Sequence, residues 1–177
     1  MGNKVTNMPM NRRPIIHVLA MCLILGPLAC EEANLALPSE SEAGAHYASS
    51  SDVTVRVSGN VVELTVDQPL RQVRRGGSLW AKVGPYIYLF SSETETLLRE
   101  YPGVAGVRVI TRTGRDETEV ARAFLHRDSL NELTWRRARN IAGKARTEGT
   151  RRPVLLEELV RWGQDHTEFG YSEEFTG

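Results

Sequence analysis

Hydrophobic and polar positions alternate where the patterned part of the chain begins. Val53, Val55 and Val57 are separated by polar residues, which is the period of a half-buried strand. Ser58-Gly59-Asn60 is a turn signal, and a second alternating run follows over 61–66, so the pattern predicts a β-hairpin. The next stretch, 67–77, contains a proline and a Gly-Gly pair and is predicted to be a loop.

The hydrophobic period then becomes helical. Ser78 is the predicted N-cap, and apolar residues recur after it at the spacing of one helix face: Leu79, Val83, Ile87, Phe90, Leu97 and Tyr101. Gly84-Pro85 predicts a kink or a division of this helix. An alternative interpretation makes 86–90 a strand and begins the helix after Ser92. We favour the long kinked helix, ended by Pro102-Gly103.

Two more strands and a helix are predicted next. The strands cover 107–111 and 120–126, and residues 113–117 form the turn between them. Ser129 and Glu132 match a capping box. A helix over 130–147 follows, and its apolar face consists of Trp135, Ala138, Ile141, Ala142 and Ala145.

The end of the pattern completes one domain. Pro153 suits the first turn of a last helix, whereas residues 170–177 are acidic and are expected to fray. The predicted order is ββαββαα, an α+β domain over 53–169. In it, helices pack on one face of a four-stranded antiparallel sheet. The length of 177 residues, with 41% hydrophobic and 25% charged residues, agrees with a single globular domain plus tails.

The N-terminus has the plan of an export signal. Its polar beginning ends in Arg12-Arg13, and the 16 residues of 14–29 are apolar except for His17. A basic segment, a short apolar run and a small residue are typical of a secretory signal. A membrane-spanning helix needs about 20 apolar residues, and Gly26-Pro27 would break one. We therefore predict a signal peptide over 1–29. A buried first helix of the domain is the alternative.

Leu28-Ala29-Cys30 resembles the lipobox of bacterial lipoproteins, although Pro27 stands where that family usually has leucine. The resemblance implies that Cys30 becomes the N-terminus of the mature chain and carries acyl chains that anchor it to the membrane. Glu31 follows the cysteine where an aspartate would favour the inner membrane. The expected location is therefore the cell envelope, at the outer membrane facing the periplasm. Ordinary secretion without a lipid is the alternative.

Between the anchor and the domain lies a stretch without apolar periodicity. Residues 31–52 are rich in Ser, Ala and Glu, and such a segment buries too little surface to offset the entropy of ordering it. Together with Cys30 it is predicted to be a flexible tether over 30–52.

Charge and residue types limit the chemistry. The chain has 22 basic and 22 acidic residues. Residues 1–29 hold three of the basic ones and no acid, which leaves 19 against 22 and a net charge of −3. Nucleic acid is therefore not an expected partner. Outside the signal the histidines are not at metal-ligand spacing, although Asp165-His166 with Glu168 could hold a divalent ion. We predict no catalytic residues, cofactor or metal, and the oligomeric state stays open.

One face of the helix over 130–147 is strongly basic. Its positive residues, with two just beyond it, are Arg136, Arg137, Arg139, Lys144, Arg146, Arg151 and Arg152. Such a face can dock on anionic lipids or on an acidic envelope protein. A solvated helix face explains the same pattern, and we favour it because the exported chain is slightly acidic. Tyr86, Tyr88 and Phe90 could likewise mark a groove but are more often core residues.

The exported part also resembles, over about a third of the chain, the strand–helix–strand core of periplasmic phospholipid-binding BON domains. Residues 55–66 and Gly103-Val-Ala-Gly-Val-Arg-Val109 carry the resemblance. The hydrophobic spacing after Gly59 is shifted by one, and the helix between is longer. The leading hypothesis is a non-catalytic structural or interaction domain on a lipid anchor. The alternatives are a small envelope hydrolase or ligand-binding enzyme that uses carboxylates, and a phospholipid-binding module.

Overall fold

A computed structural model of the chain describes Gly2, residues 35–113 and residues 117–177, with the backbone alone at residues 72 and 74–76. The predicted signal peptide, Cys30 and the first part of the predicted tether lie outside the described residues. The same holds for the centre of the turn predicted between the third and fourth strands. Residues 33–177 form one compact unit.

The described chain contains five strands and six helices. The strands are β1 (Val53–Ser58), β2 (Val61–Asp67), β3 (Gly106–Thr113), β4 (Thr118–His126) and β5 (Glu168–Tyr171). The helices are α1 (Glu40–His46), α2 (Leu70–Leu89), α3 (Ser92–Glu100), α4 (Glu132–Glu148), α5 (Pro153–His166) and α6 (Glu173–Thr176). A 3₁₀ turn, Arg127–Ser129, joins β4 to the loop before α4.

The strands form a single mixed sheet in the order β1-β2-β3-β4-β5. The α+β class is confirmed, but the four-stranded antiparallel sheet is wrong. β2 and β3 pair in parallel, because α2 and α3 return the chain to the end of the sheet where β2 begins. The other neighbouring strands are antiparallel. The order ββαββαα also omits α1, the division of the first long helix, β5 and α6.

The two faces of the sheet differ in burial. Val62, Leu64 and Val66 of β2 are buried and belong to the hydrophobic core, which is continuous with α2, α4 and α5. The alternate residues of the same strand are partly exposed. Across the sheet, cross-strand register places Arg56, Glu63, Arg108, Phe124 and Glu168 in one row on the exposed face.

Part of the predicted tether is an ordered helix. In α1, the Ser39 Oγ accepts a hydrogen bond from the Glu42 N–H at 3.2 Å, and the Glu42 carboxylate accepts one from the Ser39 N–H at 2.8 Å. The pKa of Glu42 is lowered, because its carboxylate accepts hydrogen bonds from the Ser39 hydroxyl, at 2.7 Å, and from the Ser39 N–H. Ala43 is fully buried and Tyr47 is 3% exposed, because their side chains enter the main core. The expectation of a flexible tether is therefore wrong for this helix.

The long helix begins earlier and breaks elsewhere than predicted. α2 covers most of the predicted loop 67–77, and its break lies at Gly77, whose φ of 66° favours glycine. Pro85 stays inside the helix, and the chain divides between Leu89 and Ser92 instead, where the Ser91 side chain caps α3. The alternative strand over 86–90 is wrong as well.

The C-terminal tail does not fray. β5 pairs with β4, and the Ser172 N–H donates to the Val120 carbonyl at 2.9 Å. The Tyr171 hydroxyl lies 2.5 Å from that of Tyr86, which is fully buried in α2. Phe175 of α6 packs against a small second cluster of buried side chains. The domain therefore extends past residue 169.

Elements with strong local signals match the predictions closely. The hairpin and strands β3 and β4 are confirmed within a few residues, and α5 begins at Pro153 as expected. α4 also forms, but its capping box uses Asn131 and Thr134 instead of Ser129 and Glu132. The five predicted apolar residues of α4 are all buried.

Gly163 provides the first test of this packing. A Cβ at Gly163 would overlap the Tyr86 ring, so Gly163→Ala is expected to lower the free energy of unfolding by about 1–3 kcal/mol. Gly143→Ala in α4 is the matched control, because a Cβ there meets nothing within 4 Å. It should instead raise stability by up to about 1 kcal/mol through helix propensity. Urea unfolding measures both; equal effects of the two alanines would contradict the packing.

Tyr47 tests whether α1 belongs to the domain. Its hydroxyl lies 2.9 Å from the Thr94 Oγ1 in a buried hydrogen bond. Tyr47→Ala should cost about 3 kcal/mol or more, since it leaves a cavity, whereas Tyr47→Phe should cost about 1 kcal/mol. Leu35→Ala serves as control because Leu35 is 70% exposed. If Tyr47→Ala and Leu35→Ala unfold at the same urea concentration, the tether prediction is right and the docking of α1 is wrong.

Candidate functional site

A cleft of about 340 Å³ opens where β2 ends. We call it the strand-end cleft. Its apolar wall consists of Val66, Pro69, Trp80, Ile87 and Tyr88, and its main polar groups belong to Asp52, Asp67, Gln68 and Arg146. In sheets with parallel strands and helical crossovers, ligands commonly bind outside the carboxyl ends of the strands. The cleft lies at such an end of β2.

Backbone hydrogen bonds hold the two acids and the glutamine in place. The Asp67 N–H donates to the Asp52 carbonyl at 2.9 Å, which brings the start of β1 beside the end of β2. The Gln68 N–H donates to the Arg112 carbonyl at 2.7 Å, and the Gln68 carbonyl accepts from the Thr113 hydroxyl at 2.7 Å. The main chain of Gln68 is therefore fixed to β3 on both sides.

The side-chain amide of Gln68 is only half satisfied. Gln68 is 8% exposed, and its Nε2 donates to the Trp80 carbonyl at 3.0 Å. Its Oε1 is buried and has no hydrogen-bond partner among the described residues. Turning the amide over would point an oxygen at the Trp80 carbonyl, so this donor–acceptor arrangement is the favourable one. A buried acceptor without a partner costs about 1–3 kcal/mol.

Gly84 makes room for this amide. A Cβ at Gly84 would lie 3.3 Å from the Gln68 Oε1 and 2.8 Å from the Thr111 Cγ2. The Thr111 hydroxyl is itself occupied, since it donates to the Ala121 carbonyl at 3.2 Å. The glycine before Pro85 thus lets α2 approach the ends of β2 and β3. The sequence signal that suggested a kink marks a close approach of helix to sheet.

Charges of both signs act on the aromatic wall. Burial raises the pKa of Tyr88; the positive charge of Arg146 opposes this shift and the negative charge of Asp52 adds to it. Arg146 also donates from Nη2 to the Ile87 carbonyl at 3.2 Å. The guanidinium is therefore positioned by the end of α2. Asp52 and Asp67 are exposed at the rim.

Several positive side chains of the basic helix, for which a solvated face was favoured over a contact surface, make contacts within the domain. Arg139 forms an ion pair with Glu95 at 3.1 Å, and Arg152 forms one with Glu148 at 3.0 Å. The Arg137 guanidinium stacks over the Trp162 ring at 4.7 Å. Arg136, Lys144 and Arg151 are exposed. The chain thus uses several of these charges to fasten α4 to α3 and α5.

The histidines do not assemble a metal centre in the part of the chain that the structure describes. His126 contacts Glu168 at 2.8 Å between Nε2 and Oε1, on the exposed side of the sheet. His166 contacts the Trp162 carbonyl through Nδ1 at 2.8 Å and stacks on the indole ring. Ser129 lies near both histidines but makes no hydrogen bond to either among the described contacts. The group therefore lacks a nucleophile paired with its base.

The three aromatics suggested as a groove separate into different roles. Tyr86 and Phe90 are core residues, stacked with ring centroids 6.0 Å apart. Only Tyr88 lines the strand-end cleft. A larger depression of about 430 Å³ lies on the exposed sheet face, but its Arg108 already pairs with Glu63 at 3.4 Å and lies over Phe124.

Three polar groups of the cleft were missed from the sequence, because Asp52 was assigned to the tether and Asp67 and Gln68 to a loop. A signal was nevertheless present. Val62, Leu64 and Val66 alternate inward, and Gln68 continues that period by one step. A polar residue at an inward position of a strand pattern is an informative departure from the rule.

Substitutions at Arg139 and Arg136 test whether the positive charges of α4 stabilise the fold. Arg139→Gln should lower the free energy of unfolding by about 0.2–1 kcal/mol, because it removes the ion pair with Glu95. Arg136→Gln, the exposed control on the same helix, should change it by less than about 0.5 kcal/mol. Urea unfolding gives both values.

The same two positions test docking on anionic lipid. Vesicle co-sedimentation at low and physiological salt, with Arg136→Glu combined with Arg139→Glu, should show no charge-dependent binding. Salt-sensitive binding that this double change abolishes would instead make α4 the contact surface.

Comparison of the chain with protein-family models, with curated proteins and with solved structures finds no match in any of the three. Among the described residues, no helix combines the length and the apolar character needed to cross a bilayer.

Proposed function

We propose that the protein is a membrane-anchored lipoprotein of the cell envelope, at the outer membrane facing the periplasm, whose domain binds a ligand or partner without catalysing a reaction. The observation that carries the binding role is the strand-end cleft, among whose lining residues Gln68 has a buried Oε1 without a hydrogen-bond partner. The anchor rests on the residue pattern of 1–30, above all on Leu28-Ala29-Cys30.

The cleft has the properties of a ligand site. Its volume falls within the usual range of about 300–1,000 Å³ for small-molecule pockets, which combine an apolar lining with a few convergent polar groups. Native proteins satisfy nearly all buried polar atoms, so an exception calls for an explanation. A hydrogen-bond donor supplied by a ligand at Gln68 would provide one.

Two features support binding over catalysis. The Thr111 hydroxyl donates to the Ala121 carbonyl, which is not a general base, whereas a hydroxyl nucleophile needs a base that takes its proton. Asp52 and Asp67 are exposed, whereas a carboxyl that acts as a general acid near neutral pH is ordinarily buried so that its pKa rises. The hydrolase alternative would need such a carboxyl. The phospholipid-binding alternative would need a continuous apolar groove, and carboxylates interrupt this one.

The anchor is tested by the mature N-terminus. Expressed in a bacterium with a lipoprotein-processing pathway, the chain should lose residues 1–29 and carry acyl chains on Cys30, as measured by mass spectrometry of the membrane fraction. Cys30→Ala should abolish both the acylation and the removal of residues 1–29, because the resemblance to lipoproteins implies that the cysteine is acylated before the signal is cleaved.

Cys22→Ala is the matched control, since Cys22 lies in the apolar run of the same segment. It should leave both the processing and the membrane attachment unchanged. A mature chain that still begins at Met1, or one with an unmodified Cys30, would overturn the lipoprotein proposal.

A further inference from the structure

The polar groups of the strand-end cleft differ from those of an anion site or a metal site. Asp52 and Asp67 contribute two carboxylates, and Gln68 contributes a neutral oxygen acceptor. Of the lining residues that the structure describes, Arg146 is the one basic residue. In the described chain no group of three His, Cys, Asp or Glu side chains is placed to hold a metal ion. The remaining ligand chemistry that matches acceptors and negative charge is a hydrogen-bond donor with positive charge.

The apolar wall adds a second requirement. Trp80 and Tyr88 present aromatic rings to the cleft together with Ile87. Aromatic faces attract organic cations, and apolar side chains favour a ligand with a carbon body beside its charge. Asp52 and Tyr88 both line the cleft, so negative charge and aromatic surface belong to the same site.

From this arrangement we infer that the strand-end cleft binds the protonated amine of a small organic molecule. The ammonium group donates hydrogen bonds to the Gln68 Oε1 at the base and to the carboxylates of Asp52 and Asp67 at the rim. The carbon body of the ligand lies against Trp80 and Ile87. This inference rests on the proposed binding function of the same cleft and specifies its ligand class.

The test uses phenethylamine as the probe and the full mature protein in detergent. Phenethyl alcohol has the same carbon body without the charge, and hydrocinnamate has an anion in its place. Isothermal titration calorimetry should show phenethylamine binding at least about tenfold more tightly than either, because each charge-assisted hydrogen bond adds discrimination of that order.

Two substitutions test whether phenethylamine binds in the strand-end cleft. Asp67→Asn keeps the shape of the side chain and removes its charge, and Gln68→Met keeps the length of the side chain and removes the acceptor. Each should weaken phenethylamine binding about tenfold. Asp165→Asn, which removes an acid that lines a different groove, should leave the affinity unchanged.

The thermal stability of the Gln68→Met variant distinguishes a role of Gln68 in ligand binding from a role in holding the fold. Gln68→Met removes both an unpartnered acceptor and one hydrogen bond. The midpoint of thermal unfolding should therefore shift by less than about 4 °C. Loss of binding with that small shift supports the inference. If Gln68→Met unfolds the protein, Asp67→Asn decides alone, because that residue is exposed.

Competitors distinguish a soluble amine from a lipid head group. Displacement of phenethylamine by ethanolamine supports a soluble ligand, and displacement only by vesicles of phosphatidylethanolamine supports a head group. Equal affinities for the amine and the alcohol would overturn the amine assignment but leave the cleft as a binding site. If no probe binds measurably at concentrations up to about 10 mM, the binding free energy is weaker than about 3 kcal/mol. That result would overturn both the amine assignment and the binding role of the cleft.

Discussion

The buried hydroxyl of Tyr86 is the constraint on which the packing of the C-terminal half depends. Tyr86 is fully buried in α2, and a buried hydroxyl without a partner costs about 1–3 kcal/mol. Its hydroxyl lies 2.5 Å from that of Tyr171, so the pairing of β5 with β4 brings a hydrogen-bond partner to Tyr86. Burial raises the pKa of Tyr86 further above its ordinary range, and the hydroxyl therefore stays protonated. Only a residue without a side chain fits at Gly163, where α5 crosses the same ring.

Not every buried polar group of the domain has a hydrogen-bond partner. Tyr47 and Thr94 satisfy each other in the core, whereas two buried side-chain atoms of the described residues have no partner: the Gln68 Oε1 and the Trp162 Nε1. The Trp162 nitrogen belongs to a partly exposed ring beneath the Arg137 guanidinium. Gln68 is a buried residue, and it lines a cleft with charged groups at its rim. Conflicts between a local polar group and its environment are expected at functional sites.

The sequence predicted elements well where their signals were local. The hairpin and the start of α5 at Pro153 depend on alternation, turn residues and a fixed φ angle, all of which are visible in a short window. α1 was missed although Ser39 and Glu42 form a capping box, because its seven residues carry too few apolar positions to show a period. β5 and the parallel pairing of β2 with β3 depend on contacts between residues far apart in the chain. The cleft was missed for the same reason, since Asp52, Gln68 and Arg146 meet only in the folded chain.

The charged side chains of the strand-end cleft differ in their pairing from those of the other exposed surfaces. On α4, the arginines at 137, 139 and 152 contact an indole ring or a carboxylate of the same domain. On the exposed sheet face, Arg108 contacts Glu63 and His126 contacts Glu168. Neutralised pairs of this kind contribute little net field beyond about one Debye length. Asp52 and Asp67, by contrast, form no ion pair among the described residues, and Arg146 is the one arginine among the described residues of the lining. Among the described side chains the cleft thus keeps carboxylates that no ion pair neutralises, and these favour a cationic ligand.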